Sequence, residues 1–434
     1  MNKFATLINI LDKLREEAPV EYKSYRPSED SIEKLNAARS KSFIHLYLKV
    51  KFGLLDFNLR HECITEGHND GGVDACYIDE ENKKIYLIQS KFRVSGNNFE
   101  QKEITISELL KIDADRISRG YNTDNSGNLY NDKIQKLIAK IGSIVDVGRY
   151  NWSVVILANL KNSNQDQISR IISGFPYEVF NFDRCYNELV FPIISGTFFQ
   201  PDQLIININL AEKYRASSRV VYPVQIGDIE CEITLLYVPT LEIARNFNKY
   251  KNAILKNNPR SYLDLARNTV NREIAKSIRN TKTNEFSIFN NGITFISDET
   301  DYTDRSAKAG RGQIILTNPQ IINGGQTAYT LSLLYDESIK KSEDPEKIFG
   351  NKEVLIKIIT FTKDDRFDEE KIFNLINDIS KATNSQSAVK ESDRRANDKI
   401  QRRIQSDLFI RYGYYYERKR GEFYEGIRSK YISK

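Results

Sequence analysis

Residues 71–91 read GGVDACYIDEENKKIYLIQSK, and this stretch decides how the N-terminal half of the chain is read. Two apolar runs, Val73 to Asp79 and Lys84 to Phe92, flank the polar Glu80-Glu81-Asn82-Lys83, a pattern that predicts a β-hairpin. Asp74 then stands near the start of one strand, with Gln89 and Lys91 near the end of the other. The chain reversal brings these ends together, and strand alternation sets Gln89 and Lys91 on one face. An acid, an amide oxygen and an ammonium group thus meet at one corner of a sheet. Asp74 and the Gln89 carbonyl are oxygen ligands of the kind a divalent cation takes, Mg2+ or Mn2+. Such an ion polarises a phosphate and activates water, and Lys91 would position that water or neutralise developing charge. Gly71 and Gly72 would let a nucleic-acid backbone approach closely. The plain alternative is an ordinary strand-end acid. Glu81-Asn82-Lys83, Glu369-Glu370-Lys371 and Glu417-Arg418-Lys419 repeat the acid-x-Lys spacing elsewhere.

Working outward, a helix is expected from Ser28 to Phe52, stopped by Gly53, and then a strand from Leu59 to Thr65. Beyond the hairpin come a helix over Ile104 to Arg119, a Gly/Asn/Ser-rich loop from Gly120 to Asn131, a helix over Asp132 to Ile141 and a strand from Trp152 to Ala158. Helix, three strands, helix and strand, with the acid on the second strand and Gln-x-Lys on the third, resembles the PD-(D/E)xK nuclease core. The likeness, over about Ser28 to Ala158, is to the Mrr-type restriction branch, in which Gln commonly replaces the acid before x-Lys. It implies a restriction-endonuclease-like αβββαβ core that hydrolyses phosphodiester bonds with Mg2+ or Mn2+, in DNA more than in RNA. The family usually adds a Glu from the preceding helix. Glu33 is the candidate, sharing a helical face with Ala37, Ile44 and Leu48. A first-turn surface acid favoured by the helix dipole is the competing reading. Glu62, Glu66 and Asp70 compete for the same role.

The pattern loosens around Pro192 to Arg219, which divides the chain into residues 1–195 and 196–434. In the second part, strands are expected over Val221 to Gln225, Ile229 to Val238, Gln313 to Leu316 and Val354 to Phe361. Helices are expected near Leu241 to Ala253, Ser261 to Ile278, Gln326 to Tyr335, Asp368 to Lys381 and Ser392 to Ile410. Asn290-Asn291-Gly292 reads first as a type I′ turn joining Phe286–Phe289 to Ile293–Ser297. Asn323-Gly324-Gly325-Gln326-Thr327 reads as a glycine turn opening a helix, whose free N–H groups make an anion site; a bare strand-to-helix turn is the alternative. Four segments carry a second resemblance: Phe289 to Thr294, Asn318 to Thr327, Ala382-Thr383-Asn384-Ser385-Gln386 and Tyr416 to Glu422. In order and spacing they resemble the AIPR (abortive infection phage resistance) family, over about Val221 to Glu422. The family implies bacterial defence against phage and often carries an Mrr-like nuclease module in front. Asn290, Asn291, Asn323, Gly324, Gly325, Gln326, Thr327, Asn384 and Gln386, with Arg418, Lys419 and Arg420, are the candidates for one shared nucleotide or nucleic-acid site.

Composition bounds these readings. The 434 residues, 40% hydrophobic and 28% charged, are globular in balance and α/β (α+β) in pattern. No apolar run approaches the ~20 residues of a membrane span. The N-terminal Phe4 to Leu11 is followed at once by charges and reads as an amphipathic helix, so a cytoplasmic protein is expected. The net charge of +5 resides in residues 391–434, where twelve basic side chains stand against seven acidic ones among tyrosines. Basic groups interleaved with aromatics suit phosphate contact and base stacking, although a solvated helix followed by a Tyr-rich strand explains them equally. Three histidines (His45, His61, His68) narrow any imidazole chemistry, and His61, Cys63, His68 and Cys76 match no familiar zinc spacing. The expected partner is a nucleic acid, with a nucleotide or phage-derived trigger, and a homodimer if both strands are cut. The alternative is a catalytically inactive nucleic-acid- or nucleotide-binding defence protein.

Overall fold

A computed structural model describes residues 2–27, 31–80, 83–105, 108, 112–160, 165–199, 201, 203–209, 219–227, 229–255, 258, 269–280, 284–303, 311–361, 369–384, 395–419 and 421–433. The fold is mixed α/β of the α+β kind. It separates into two compact units, Met1–Pro192 with Ser429–Lys434, and Ile193–Arg428. The division falls three residues before the expected one, and the last six residues go with the first unit, where Asn9 Nδ2 donates to the Lys430 and Tyr431 carbonyls (2.8 Å each).

The first unit is built on a four-stranded sheet. β1 (Ala75–Asp79) and β2 (Lys84–Ser90) are antiparallel, with Ala75 opposite Ile88 and Cys76 opposite Leu87; β3 (Asn151–Leu157) and β4 (Tyr177–Val179) continue in parallel. Helices α1 (Lys3–Glu16), α2 (Ile32–Phe52), α3 (Phe57–Glu62) and α4 (Asp132–Gly142) pack around it. Alternation sends Cys76, Leu87, Val154 and Ile156 into one core with Ile134 and Ile138 of α4. Tyr77 and Tyr86 point the other way, where the Phe52 ring of α2 meets them at 4.2 and 4.8 Å. Gly53 ends α2 in the left-handed conformation, as its position predicts.

The second unit contains β5 (Gln203–Asn209), β6 (Val220–Ile226), β7 (Ile229–Pro239), β8 (Ile293–Ser297), β9 (Glu299–Thr303), β10 (Arg311–Thr317), β11 (Gln320–Asn323) and β12 (Glu353–Phe361). They form a three-stranded sheet, β5-β10-β9, and a five-stranded one, β11-β8-β12-β7-β6. Its principal helices are α5 (Thr240–Tyr250), α6 (Thr269–Asn280), α7 (Gly325–Lys340), α8 (Glu369–Asn384) and α9 (Lys399–Tyr412). Val354, Ile356 and Ile358 of β12 share a core with Leu241 and Phe247 of α5 and Ala328 and Leu331 of α7. Ile359 and Phe361 turn to Ile372 and Ile376 of α8, so both faces of the central strand are covered.

Four sequence expectations are corrected. Leu59 to Thr65 is not a strand: Asp56 accepts from the Leu59 N–H (3.0 Å) and caps α3, leaving one bridge, Ile64 to Ala75. The first of the three strands expected for a nuclease core is therefore reduced to that bridge, and Cys63 ends a helix. No single helix spans Ile104 to Arg119; the described part holds a short helix, Ala114–Ser118, and Gly96–Gln101 forms another helix before it. Phe286–Phe289 is a helical turn, not a hairpin arm, because β8 pairs with β11 and, in parallel, with β12. The Tyr run after α9 forms no strand; Gly413 caps the helix and Tyr412 and Tyr414 stack at 6.1 Å.

Arg60 on α3 is fully buried and pairs with Glu17 at 2.5 Å, while its Nε and Nη1 atoms have no partner among the described residues. Glu17→Ala would strand that guanidinium and should lower stability in urea melts by about 3 kcal/mol. Adding Arg60→Met should recover most of the loss; no recovery would refute a charge-burial cause.

Candidate active site and polar motif cluster

Asp74 lies one residue ahead of β1 and is held by two segments, β2 and Thr65–Glu66. Its N–H donates to Ile88 O (2.9 Å), its carbonyl accepts from the Thr65 and Glu66 N–H groups (2.9 Å each), and its Oδ2 accepts from the Ser90 N–H at 2.7 Å. The carboxyl thus sits at the end of β2, between Gln89 and Lys91. Burial drives it up to about 7; the Ser90 N–H opposes this, the Asp70 and Glu66 charges reinforce it, and Lys91 pulls back. Glu66 is likewise raised, by burial first and by Asp70, against Lys41 and Lys133. Asp70 is fixed by the Gly67 and Gly72 N–H groups, 2.9 Å each.

Gln89 is 9% exposed, and its Nε2 donates to Glu108 O at 3.1 Å. Its Oε1 is left buried without a partner among the described residues, as is Glu66 Oε2. Lys91 Nζ meets Glu108 Oε1 at 3.0 Å. Glu108 is the residue that sequence reasoning missed. Burial works against its charge, but the Thr105 N–H and Lys91 hold its carboxyl down to about 2. Its signal was the Thr105-x-x-Glu108 capping box, in which Glu108 Oε2 accepts from the Thr105 N–H (2.9 Å) and its own N–H meets Thr105 Oγ1 (3.3 Å).

Other candidates fall elsewhere. Glu33 is exposed in the first turn of α2, as is Ala37 beside it, while Ile44 and Leu48 are buried; the acids acting on Asp74 are Asp70 and Glu66. The space beside Gly71 is taken by the Tyr130 ring, 3.0 Å from where a Cβ would lie, so it does not serve backbone approach as expected. Among the described residues, no group of three or more His, Cys, Asp and Glu side chains is set to hold a metal ion. The donors at hand are the Asp74 and Glu66 carboxylates and the Gln89 amide oxygen, two of them with orphaned buried atoms. That set fits a hard cation that keeps several of its waters.

In the second unit two polar motifs do come together. Asn290 Nδ2 donates to Thr327 Oγ1 (3.1 Å), and Asn290 Oδ1 accepts from the Gly292 N–H (2.9 Å). Gly292 and Gly324 both have positive φ, and a Cβ on either would lie 2.6 Å from a carbonyl oxygen, that of Leu355 or of Gly292 itself. Gly324 is the N-cap of α7, with no side-chain cap on the first N–H groups. Gln326 Nε2 is bound to Asn271 Oδ1 (2.7 Å), Asn323 Oδ1 accepts from the Gly324 N–H (2.7 Å), Gly325 is buried, and Asn291 is exposed. Arg418 and Lys419 face inward, contrary to a nucleic-acid role. Arg418 binds the Ala396 carbonyl (2.9 Å), Gln405 (2.9 Å) and Glu422 (3.0 Å), and Lys419, 2% exposed, donates to Leu255 O (3.2 Å). Asn384 ends α8; Gln386 and Arg420 lie outside the described residues.

Residues 255–433 match the family model described as AIPR protein, a segment containing all the motifs that carry the AIPR resemblance. No curated protein and no solved structure matches the chain. Among the described residues no helix is long and apolar enough to cross a membrane.

Two outcomes follow from this geometry. Asp74 titrates near 3.8 when unfolded and near 7 when folded, so the native state binds the extra proton and loses stability as pH rises between those values. Asp74→Asn removes that loss: its stability should gain on the wild type from about pH 4 to about pH 7, then keep a constant advantage. Parallel urea-midpoint curves across that range would contradict the buried carboxyl. Gly324→Ala should cost about 2 kcal/mol or more, through left-handed strain and the clash with Gly292 O, read as a lowered thermal midpoint.

Proposed function

We propose that this chain is an abortive-infection nuclease that hydrolyses phosphodiester bonds, in DNA more than in RNA. The orphaned Gln89 Oε1 beside the buried Asp74 carboxyl, with Lys91 one residue past the strand end, is the observation that carries the reading. Mg2+ or Mn2+, held by Asp74 and Gln89 with Glu66 at hand, would polarise the scissile phosphate and acidify a water. Asp74 must shed its proton to serve as a ligand, so competence should rise with pH through about 7. Lys91 brings its ammonium to the same corner and neutralises charge on the phosphate; Glu108 is the positioning residue that holds Lys91. The match to AIPR protein over residues 255–433 supports phage defence, and the Mrr-like order of residues favours DNA. The second unit would recognise nucleic acid or a trigger and license cutting, and two copies would serve both strands.

A second reading, a binding protein that does not cut, draws on Gln89, which leaves the corner one charge short of an all-acid site. Calorimetry with Mg2+ or Mn2+ at pH 8 separates the two. A nuclease should take up metal, with uptake much weaker at pH 6 and lost in Asp74→Asn. Asp74→Ala and Lys91→Ala should each abolish cleavage of phage or plasmid DNA and the protection of cells against phage, without altering the circular dichroism spectrum. Cleavage by Asp74→Ala at the wild-type rate would end the assignment.

A further inference from the structure

We propose that a cavity in the first unit, away from the Asp74 carboxyl, binds a nucleoside phosphate. It measures about 480 Å³, within the range of ~300–1,000 Å³ typical of small-ligand pockets. Its apolar lining comes from Leu54, Leu59, Ile64, Cys76, Ile78 and Leu137. One wall is cationic. Lys133, Lys136 and Lys140 stand at helical spacing on the outer face of α4, whose Ile134, Ile138 and Ile141 go to the core. Glu62 is the one acid in the lining.

The cations are poorly matched within the protein. Lys136 and Lys140 have no hydrogen bond or ion pair among the described residues, and Lys133 reaches one carbonyl, Glu66 O, at 3.3 Å. The ligand needs more than a phosphate, because an inorganic ion would leave the apolar lining wet. It also needs more than an acyl chain. His61 lines the cavity with Nδ1 already bonded to the Tyr25 hydroxyl (3.0 Å), leaving Nε2 for a polar ring edge. A base on the apolar floor with its phosphate on the lysines satisfies all of these groups. The nucleotide can be free or belong to a strand bound by the protein.

Equilibrium dialysis of the full chain with AMP, inorganic phosphate, decanoate, a short single-stranded oligodeoxynucleotide and the same strand carrying an abasic position tests this. AMP should bind, and the double variant Lys136→Ala/Lys140→Ala should weaken it about tenfold or more, since two charge-assisted contacts are lost. Both lysines are exposed, so the variant should keep the wild-type melting curve. A free-nucleotide site gives AMP binding; a strand site gives oligonucleotide binding that falls with the abasic position and with the double variant. Cys63, the partly exposed one of the four cysteines, lines the cavity and gives a local reading. Its alkylation, slow because burial pushes the thiol up to about 12, should slow several-fold further when the cavity is filled. Asp74→Ala should bind as the wild type does, so loss of the nuclease reading leaves this one standing. Phosphate or decanoate binding as tightly as AMP, no binding by nucleotide or strand, unprotected Cys63, or full affinity in the double variant would each overturn it.

Discussion

The hydrogen bond from the Ser90 backbone N–H to the Asp74 carboxylate is the contact on which the corner of the first unit depends. It fixes an acid where β1 and β2 meet, and the double acceptance by the Asp74 carbonyl ties the same residue to Thr65 and Glu66. One backbone donor offsets little of what burying a carboxylate costs, and Asp70 and Glu66 add repulsion. A strand end built only for stability would place an apolar or neutral residue there. A carboxyl held at about 7 in a sheet corner, next to orphaned oxygens, is the sort of unfavourable arrangement that binding sites retain.

The hairpin and its corner were legible because they rest on local signals: alternation over 73–79 and 84–92, a polar turn, and the short distance between strand ends. So were α2 with its Gly53 stop, α4, β3 and β12. What escaped depends on partners distant in sequence. Leu59 to Thr65 has an apolar rhythm that suits a strand, but Asp56 caps a helix there and Arg60 is drawn into the interior by Glu17. Asn291-Gly292 is a strong hairpin signal, yet Gly292 is needed because Leu355 of β12 passes against its backbone. Glu108 was hidden because its value lies in reaching Lys91 and Gln89, which no local pattern displays.

The conspicuous polar motifs of the second unit show a different limit. Asn, Gln, Thr and Gly at several separated places suggested a ligand, and the structure does gather Asn290, Gly292, Gly324 and Thr327 at one junction. Most of those groups are satisfied by one another: Asn290 by Thr327, Gln326 by Asn271, and the two glycines by close backbone passage. Arg418 and Lys419 are likewise turned inward to carbonyls and to Glu422. Where β11 runs into α7, the requirement is a crossing of backbones too tight for a Cβ, and the glycines of Asn323 to Thr327 meet it.

An amide rather than an acid at Gln89 accords with the electrostatics that raise Asp74. Asp70 and Glu66 already act on that carboxyl, and a third carboxylate two residues before Lys91 would push it higher still. An amide supplies an oxygen of similar reach with no added charge, so Asp74 can still ionise near neutral pH. Glu108 places a negative charge against Lys91, where the Thr105 N–H and Lys91 stabilise it. The negative charge near the corner is therefore spread over Asp74, which titrates near 7, over Asp70 and Glu66, and over Glu108, whose carboxyl is held down to about 2. Lys91 is held by Glu108 whether or not the proton on Asp74 is present.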